Sequence, residues 1–255
     1  MAGILYAMTL IVTKSFQLAV YMKGNQSADK LALVLPGRLD TKDYAHMRSH
    51  VDFLASQGYL ALSFDPPGTW ESPGDITLYT MSNYIKATNE LIEHFGNRPT
   101  FIMGHSRGSS IATYVATTNP HVTSFVSIMC SLAPNAYLKG AAPEWEKQGY
   151  LVEMRDLPPG GGPEEKRYEL PYAFFEDSKQ YDLAEGLKQC TKPKLFLLGK
   201  HDVLATPAKV RALYNIAAEP KHLYELDSDH DYRLHTHLID EVNKIIGTFL
   251  GGNDV

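Results

Sequence analysis

The 255-residue sequence predicts an α/β fold: a mostly parallel central sheet of about eight strands, helices on both faces and a short cap insertion. Three observations carry this. Continuous apolar runs such as Leu31-Ala32-Leu33-Val34-Leu35 read as strands buried on both faces. Between such runs, apolar residues recur at helical spacing, as in Tyr44, Met47, Val51, Leu54 and Ala55. Strand and helix then alternate in units of a size that calls for right-handed crossovers between parallel strands.

Met1 to Gly24 reads as two strands broken near Thr13-Lys14, and Asn25 to Lys30 as a polar turn. The run at 31–35 ends at Pro36-Gly37, and a helix closes at Gln57-Gly58. Tyr59 to Phe64 is the next strand. The loop Asp65-Pro66-Pro67-Gly68-Thr69-Trp70-Glu71-Ser72-Pro73-Gly74 is dense in turn residues. Leu78, Met81, Ile85, Thr88, Ile92 and Phe95 mark a helix that ends at Asn97-Arg98-Pro99, and Thr123 to Cys130 is a further buried strand. The alternation breaks from about Ala133 to Thr191, where no strong strand stands out. It resumes with the strand Lys194 to Gly199, a helix carrying Val210, Leu213 and Ile216, the strand His222 to Leu226, and a last helix carrying Leu234, Leu238, Val242, Ile245, Ile246 and Phe249. The expected division is a core of residues 1–132 and 192–255 with a cap of residues 133–191. The cap's many aromatics argue for a packed lid rather than a disordered linker.

Composition narrows the function classes. Hydrophobic residues make up 44% and charged residues 21%, ordinary for a globular chain, and the formal net charge is -5. With no Lys/Arg block, that disfavours nucleic-acid and anionic-membrane partners. Two widely spaced cysteines, Cys130 and Cys190, define neither a disulfide framework nor a metal-ligand cluster. A reducing, cytoplasmic setting is expected. The apolar stretch Met1 to Val12 has no basic flank or cleavage-like site and is too short to span a bilayer, so it reads as a first strand.

The chemistry centres on Gly104-His105-Ser106-Arg107-Gly108, preceded by the apolar run Phe101 to Met103 and followed by a helix-like pattern from Ile111 to Ala116. This is G-x-S-x-G in a strand–turn–helix context. A serine at the apex of such a turn is crowded from both sides, and glycine two residues either way leaves the room. The turn exposes the Ser106 hydroxyl and leaves the Arg107 N–H at a helix N-terminus, where a developing oxyanion could be met. A serine hydroxyl needs a base, and the base needs an orienting acid. In parallel sheets such groups collect beyond the C-terminal strand ends. There the sequence offers Gly199-Lys200-His201-Asp202 and Asp227-Ser228-Asp229-His230-Asp231.

The order Ser106, Asp202, His230, together with the elbow, resembles the α/β-hydrolases over essentially the full length. The resemblance implies Ser106 as nucleophile, His230 as general base and then acid, and Asp202 as the carboxylate orienting it. It also implies a second oxyanion donor in the loop after the third strand, assigned to the N–H of Arg38 beside that of Arg107, with Gly37 as second choice. Family members frequently have His-Gly where this chain has Pro36-Gly37. Competing residues are His201 as base, and Asp227, Asp229 or Asp231 as acid. His105 is expected to pack beneath the elbow. His235 and His237, with Asp229 and Asp231, fit no strong metal motif, and neither a metal nor a cofactor is expected. The Arg38 side chain either reaches over the site to an anionic substrate or lies in solvent, the latter favoured. The loop from Asp65 resembles the family's D-x-x-G-x-G-x-S segment, with Trp70 where a glycine is usual; it either narrows the pocket or packs.

The expected activity is hydrolysis of a carboxylic ester or thioester of a small-molecule acyl substrate by a serine carboxylesterase. The alternatives are a serine aminopeptidase or amidase on the same residues and, further off, a non-catalytic binding protein. The cap aromatics suit an apolar acyl or aryl group, or hold the cap together. The cap acids (Glu144, Glu146, Glu164, Glu165, Glu169 and Glu176) suit either a free amine or a solvated face.

Overall fold

The structure is a computed structural model that describes residues 9–130 and 142–252. Residues 1–8, the first part of the expected N-terminal strand, and the start of the expected cap, including Tyr137, lie outside the described residues.

Eight strands form one sheet: β1 (Thr9–Val12), β2 (Gln17–Lys23), β3 (Leu31–Leu35), β4 (Leu60–Phe64), β5 (Thr100–His105), β6 (Val122–Ile128), β9 (Lys194–Gly199) and β10 (Lys221–Leu226). Their order is β1-β2-β4-β3-β5-β6-β9-β10. β1 and β2 pair antiparallel, β2 pairs antiparallel with β4, and the remaining pairs are parallel. The mostly parallel α/β sheet expected from the sequence is therefore present. The continuous apolar runs explain it: every residue of β3, β4, β5 and β9 is buried, because helices cover both faces. Each core leucine such as Leu33 contributes about 1.5–3 kcal/mol relative to exposure.

The helices are α1 (Ala45–Ser56), α2 (Met81–His94), α3 (Arg107–Thr118), α4 (Ala142–Gln148), α5 (Tyr172–Ser178), α6 (Leu183–Gln189), α7 (Pro207–Ile216) and α8 (Thr236–Leu250). The last helix starts two residues after Leu234, which sits in a single turn at Tyr232–Leu234 and is exposed. Its apolar positions face the core only from Leu238 onward.

One expectation fails. Two strands stand where none was anticipated: β7 (Tyr150–Asp156) and β8 (Glu165–Pro171) form an antiparallel hairpin of their own. Glu153, Arg155 and Asp156 interrupt the apolar pattern of β7, and their charges are met by residues distant in sequence. Polar positions satisfied by tertiary contacts erase the alternation that marks a strand.

Sheet order positions the site. The chain leaves β3 to one side for β4, then returns to the other side for β5. The loop after β3 and the turn after β5 thus diverge at a switch point, where open parallel sheets form a crevice. β10 lies beside β9 in full register, so the loops carrying Asp202 and His230 emerge side by side.

Candidate active site

Ser106 caps α3 with φ 51° and ψ −115°, a left-handed conformation that costs on the order of 1–3 kcal/mol. The flanking glycines are steric requirements. A Cβ on Gly104 would lie 2.3 Å from the Gly108 carbonyl, and one on Gly108 would lie 2.1 Å from the Leu35 carbonyl oxygen. The elbow is thereby wedged against the end of β3, next to the loop that carries Arg38.

Three of the residues singled out from the sequence converge. His230 Nε2 lies 2.9 Å from Ser106 Oγ, and His230 Nδ1 lies 2.7 Å from Asp202 Oδ2. With Nδ1–H donating to Asp202, Nε2 is left to accept the Ser106 hydroxyl proton. Burial would raise the Asp202 carboxyl. The His230 hydrogen bond and charge and the N–H groups of Leu204 and Ala205, at 2.7 and 2.9 Å, outweigh it and hold Asp202 below the usual range. Asp202 is therefore a carboxylate at neutral pH.

The competing residues are engaged elsewhere. His201 is exposed and meets Asp227 at 3.0 Å. Asp229 accepts the Asp231 N–H, and Asp231 accepts from Arg233 Nε. His235 and His237 line a separate cleft of about 300 Å³ with His201, Asp227 and Asp229. Arg107 begins α3, which puts its N–H at the helix N-terminus, and its guanidinium lies 4.6 Å over the Phe174 ring.

The Arg38 side chain does not lie in solvent, contrary to the favoured expectation. It pairs with Glu153 of β7 at 3.0 Å, and both side chains are 18% exposed. Two residues on, Asp40 pairs with Arg155 of the same strand. The register explains the geometry: Arg38-x-Asp40 and Glu153-x-Arg155 each place opposite charges two residues apart. A third tie joins Asp156 to Arg233, beyond His230, at 2.9 and 3.0 Å, and Tyr44 donates to the Asp156 carbonyl at 2.7 Å. The hairpin thus grips both the Arg38 loop and the His230 loop. Of these partners of the Arg38 and His230 loops, none is singled out from the sequence as part of the site. The mirrored charge spacing is the one local signal, and it cannot show which segments meet across 115 residues.

Trp70 packs rather than lining the cavity. Its φ of 49° accounts for the glycine usual at this position, and its indole N–H donates to the Leu39 carbonyl at 2.8 Å. Its ring meets Tyr168 of β8 edge-on. Trp145, Phe174 and Phe175 are likewise buried against one another, so these aromatics pack α4 and α5 together. Asp65 ties the same region, accepting from Thr41 Oγ1 at 2.7 Å, Lys42 N at 2.9 Å and Glu71 N at 3.1 Å.

His105 is buried as expected from its place in the elbow, but it also does something the sequence did not reveal. Its Nε2–H donates to the His230 carbonyl at 2.9 Å, bracing the histidine loop from below. Behind it stand His46 and His50, the latter bonded to Asn243 and Tyr232. Asp40, His46 and His105 offer three buried ligand atoms within 4.8 Å of one another, a donor set compatible with a divalent cation. The Arg155 guanidinium already supplies a positive charge at Asp40.

These histidines make a testable pH dependence. Burial, foremost, pushes His50 down to about 4 and lowers His46 and His105. In the unfolded chain each titrates near 6.5. Below that value the unfolded state binds protons that the folded state refuses. Stability is therefore complete above about pH 6.5 and falls as pH drops toward 4, where the unfolded histidines are protonated and the buried ones resist protonation. Thermal melts between pH 7 and 4.5 should show a steep fall in Tm, and a flat profile would contradict the assignment.

Comparison with known proteins agrees with this architecture. Residues 33–152 match the family model for the alpha/beta hydrolase fold. No curated protein matches the sequence significantly. Among solved structures, a putative hydrolase from Agrobacterium vitis is similar at 19% identity and TM-score 0.78, covering 95% of this chain and 98% of its own. The mouse alpha/beta hydrolase domain-containing protein 10 is similar at 18% identity and TM-score 0.78, covering 97% and 99%. An esterase from Pyrococcus furiosus follows at 18% identity and TM-score 0.71, covering 96% and 90%. Sheet order, matched segment and structural neighbours together show that this chain has the α/β-hydrolase fold.

Proposed function

We propose that the protein is a serine hydrolase that cleaves a carboxylic ester or thioester of a small molecule through an acyl-serine intermediate. The observation that carries this reading is the relay of Ser106 Oγ, His230 Nε2, His230 Nδ1 and Asp202 Oδ2, linked at 2.9 and 2.7 Å. Ser106 Oγ bonds to the substrate carbonyl carbon as its proton passes to His230 Nε2. The tetrahedral oxyanion is met by the N–H groups of Arg107 and Arg38. The bond to the leaving group breaks, and that group takes the proton from His230. Water then loses a proton to His230 and attacks the acyl carbon. Ser106 departs with that proton, and the carboxylic acid is released. Asp202 holds the imidazole in the required tautomer throughout. No step calls for a metal or cofactor. We assign the β7–β8 hairpin the part of the cap over this site.

The test is covalent labelling with a fluorophosphonate probe. The expected result is one adduct per chain on Ser106, absent from Ser106→Ala. No adduct on the folded wild type would overturn the reading. 4-Nitrophenyl esters should then turn over faster than aminoacyl anilides, and the reverse order would favour an aminopeptidase. Among the described residues, no helix is long and apolar enough to cross a membrane.

A further inference from the structure

The cavity beside Ser106 and His230 has a volume of about 80 Å³. Its other described lining residues are Arg38, Asp40, His105, Arg155, Leu204 and Asp231, of which Leu204 alone is apolar. That is a poor seat for the apolar acyl or aryl group the cap aromatics suggested. Building on the serine-hydrolase reading, we propose that the substrate is an anionic ester, its carboxylate or phosphate lying a few atoms from the scissile carbonyl and held by Arg155 together with Arg38.

The hydrogen-bond inventory sets the sign of the ligand. Both acidic residues of the lining already have cationic partners: Asp40 takes Arg155, and Asp231 takes Arg233. A cationic ligand would therefore compete for carboxylates already engaged while facing two guanidiniums. Two buried side-chain atoms of the lining lack a hydrogen-bond partner among the described residues: His105 Nδ1, an acceptor set back behind His230, and a donor on Arg155. Arg155 Nε is buried and has no hydrogen-bond partner among the described residues. A guanidinium anchored at one nitrogen keeps its remaining donors in a fixed plane, which suits two-point recognition of a carboxylate or phosphate.

The wider electrostatics agree. Arg38, Arg155 and Arg233 gather around one strand end of the cap hairpin. Burial first, then the charges of Arg233 and Arg38, push Arg155 down to about 10. A bound anion relieves that mutual repulsion, whereas an alkyl chain leaves the buried Arg155 donor without an acceptor. Because Glu153 and Asp40 hold Arg38 and Arg155 from the side, little side-chain ordering remains for the ligand to impose. The small volume limits the spacer between anion and carbonyl.

The experiment compares matched ester pairs, with spontaneous hydrolysis subtracted. Mono-4-nitrophenyl glutarate is set against 4-nitrophenyl pentanoate, placing the charge on the acyl side. 4-Acetoxybenzoate is set against 4-acetoxytoluene, placing it on the leaving group. At least one anionic ester should exceed its neutral partner tenfold or more in kcat/KM. Arg155→Gln should reduce that ratio at least tenfold. Because this variant strands Asp40, the double variant Asp40→Asn/Arg155→Gln is measured alongside and should show the same loss. In the wild type, glutarate or inorganic phosphate at constant ionic strength should slow fluorophosphonate labelling of Ser106, and their relative potency separates carboxylate from phosphate. Preference for the neutral ester in both pairs, or an unchanged ratio in both variants, overturns the proposal. If Ser106 is unreactive and no ester turns over, the hydrolase reading fails separately. Calorimetric titration with glutarate and phosphate then decides the anion site: binding lost in Arg155→Gln sustains it, and absence of binding to the wild type refutes it.

Discussion

Replacing His230 by alanine is expected to lower kcat for an ester by about four to six orders of magnitude, as removal of the base does where a serine and a histidine act as a unit. Ser106→Ala should fall to the same floor, and the double variant should be no worse, because either loss disables the same step. Asp202→Asn should cost roughly 10⁴ in kcat while the protein remains folded, since the amide favours the wrong imidazole tautomer. Asp202 Oδ1 also accepts the N–H groups of Leu204 and Ala205, and an asparagine oxygen can keep those bonds, so the loop should hold. The measurement is kcat on a 4-nitrophenyl ester beside a thermal melt of each variant. If Asp202→Asn is near wild type and Asp229→Asn is inactive, the acid is misassigned.

The second large effect is on stability. Gly108→Ala should destabilise by more than about 4 kcal/mol or yield no soluble protein, the range reserved for severe core or backbone conflicts. An added Cβ would stand 2.1 Å from the Leu35 carbonyl oxygen and 2.5 Å from that of Pro36. Both are backbone atoms at the end of a fully buried strand, so no rotamer change relieves the clash. The loop bearing Arg38 would have to move as well. Gly104→Ala should behave alike, its Cβ meeting the Gly108 backbone at 2.3 Å. Gly247→Ala in α8 is the contrast. Its Cβ meets only the tip of the Phe53 ring, at 3.1 Å, and alanine favours the helix by about 1 kcal/mol. Urea titrations should place it within about 1 kcal/mol of wild type while Gly108→Ala collapses.

Much of the candidate site is legible in the sequence because the proposed chemistry is tied to strand ends, and strand ends are local. Fully buried strands must be continuous apolar runs, so Leu35, Met103, Leu198 and Leu226 announce where the C-terminal edge lies. Residues placed just beyond those points, Ser106, Asp202 and His230, share an edge whatever the details of packing. The glycines at 104 and 108 are legible for the same reason, since a left-handed serine crowded by backbone tolerates nothing larger.

The β7–β8 hairpin was not legible. β7 and β8 hide because their charged residues are satisfied by partners remote in sequence: Glu153 by Arg38, Arg155 by Asp40, and Asp156 by Arg233. Periodicity reports how a segment divides between core and solvent, and it is silent about a charge buried against another charge. The same blindness placed the Arg38 side chain in solvent and reduced His105 to packing, although its ring also braces the His230 carbonyl. By itself, then, the sequence determined the sheet, its buried strands and the edge on which the reactive groups lie, because burial on both faces writes itself into composition. Only the tertiary structure decided which carboxylate meets His230, which charges close over Ser106 and how polar the resulting cavity is. Those are pairings between loops far apart in the chain, set by how the layers pack.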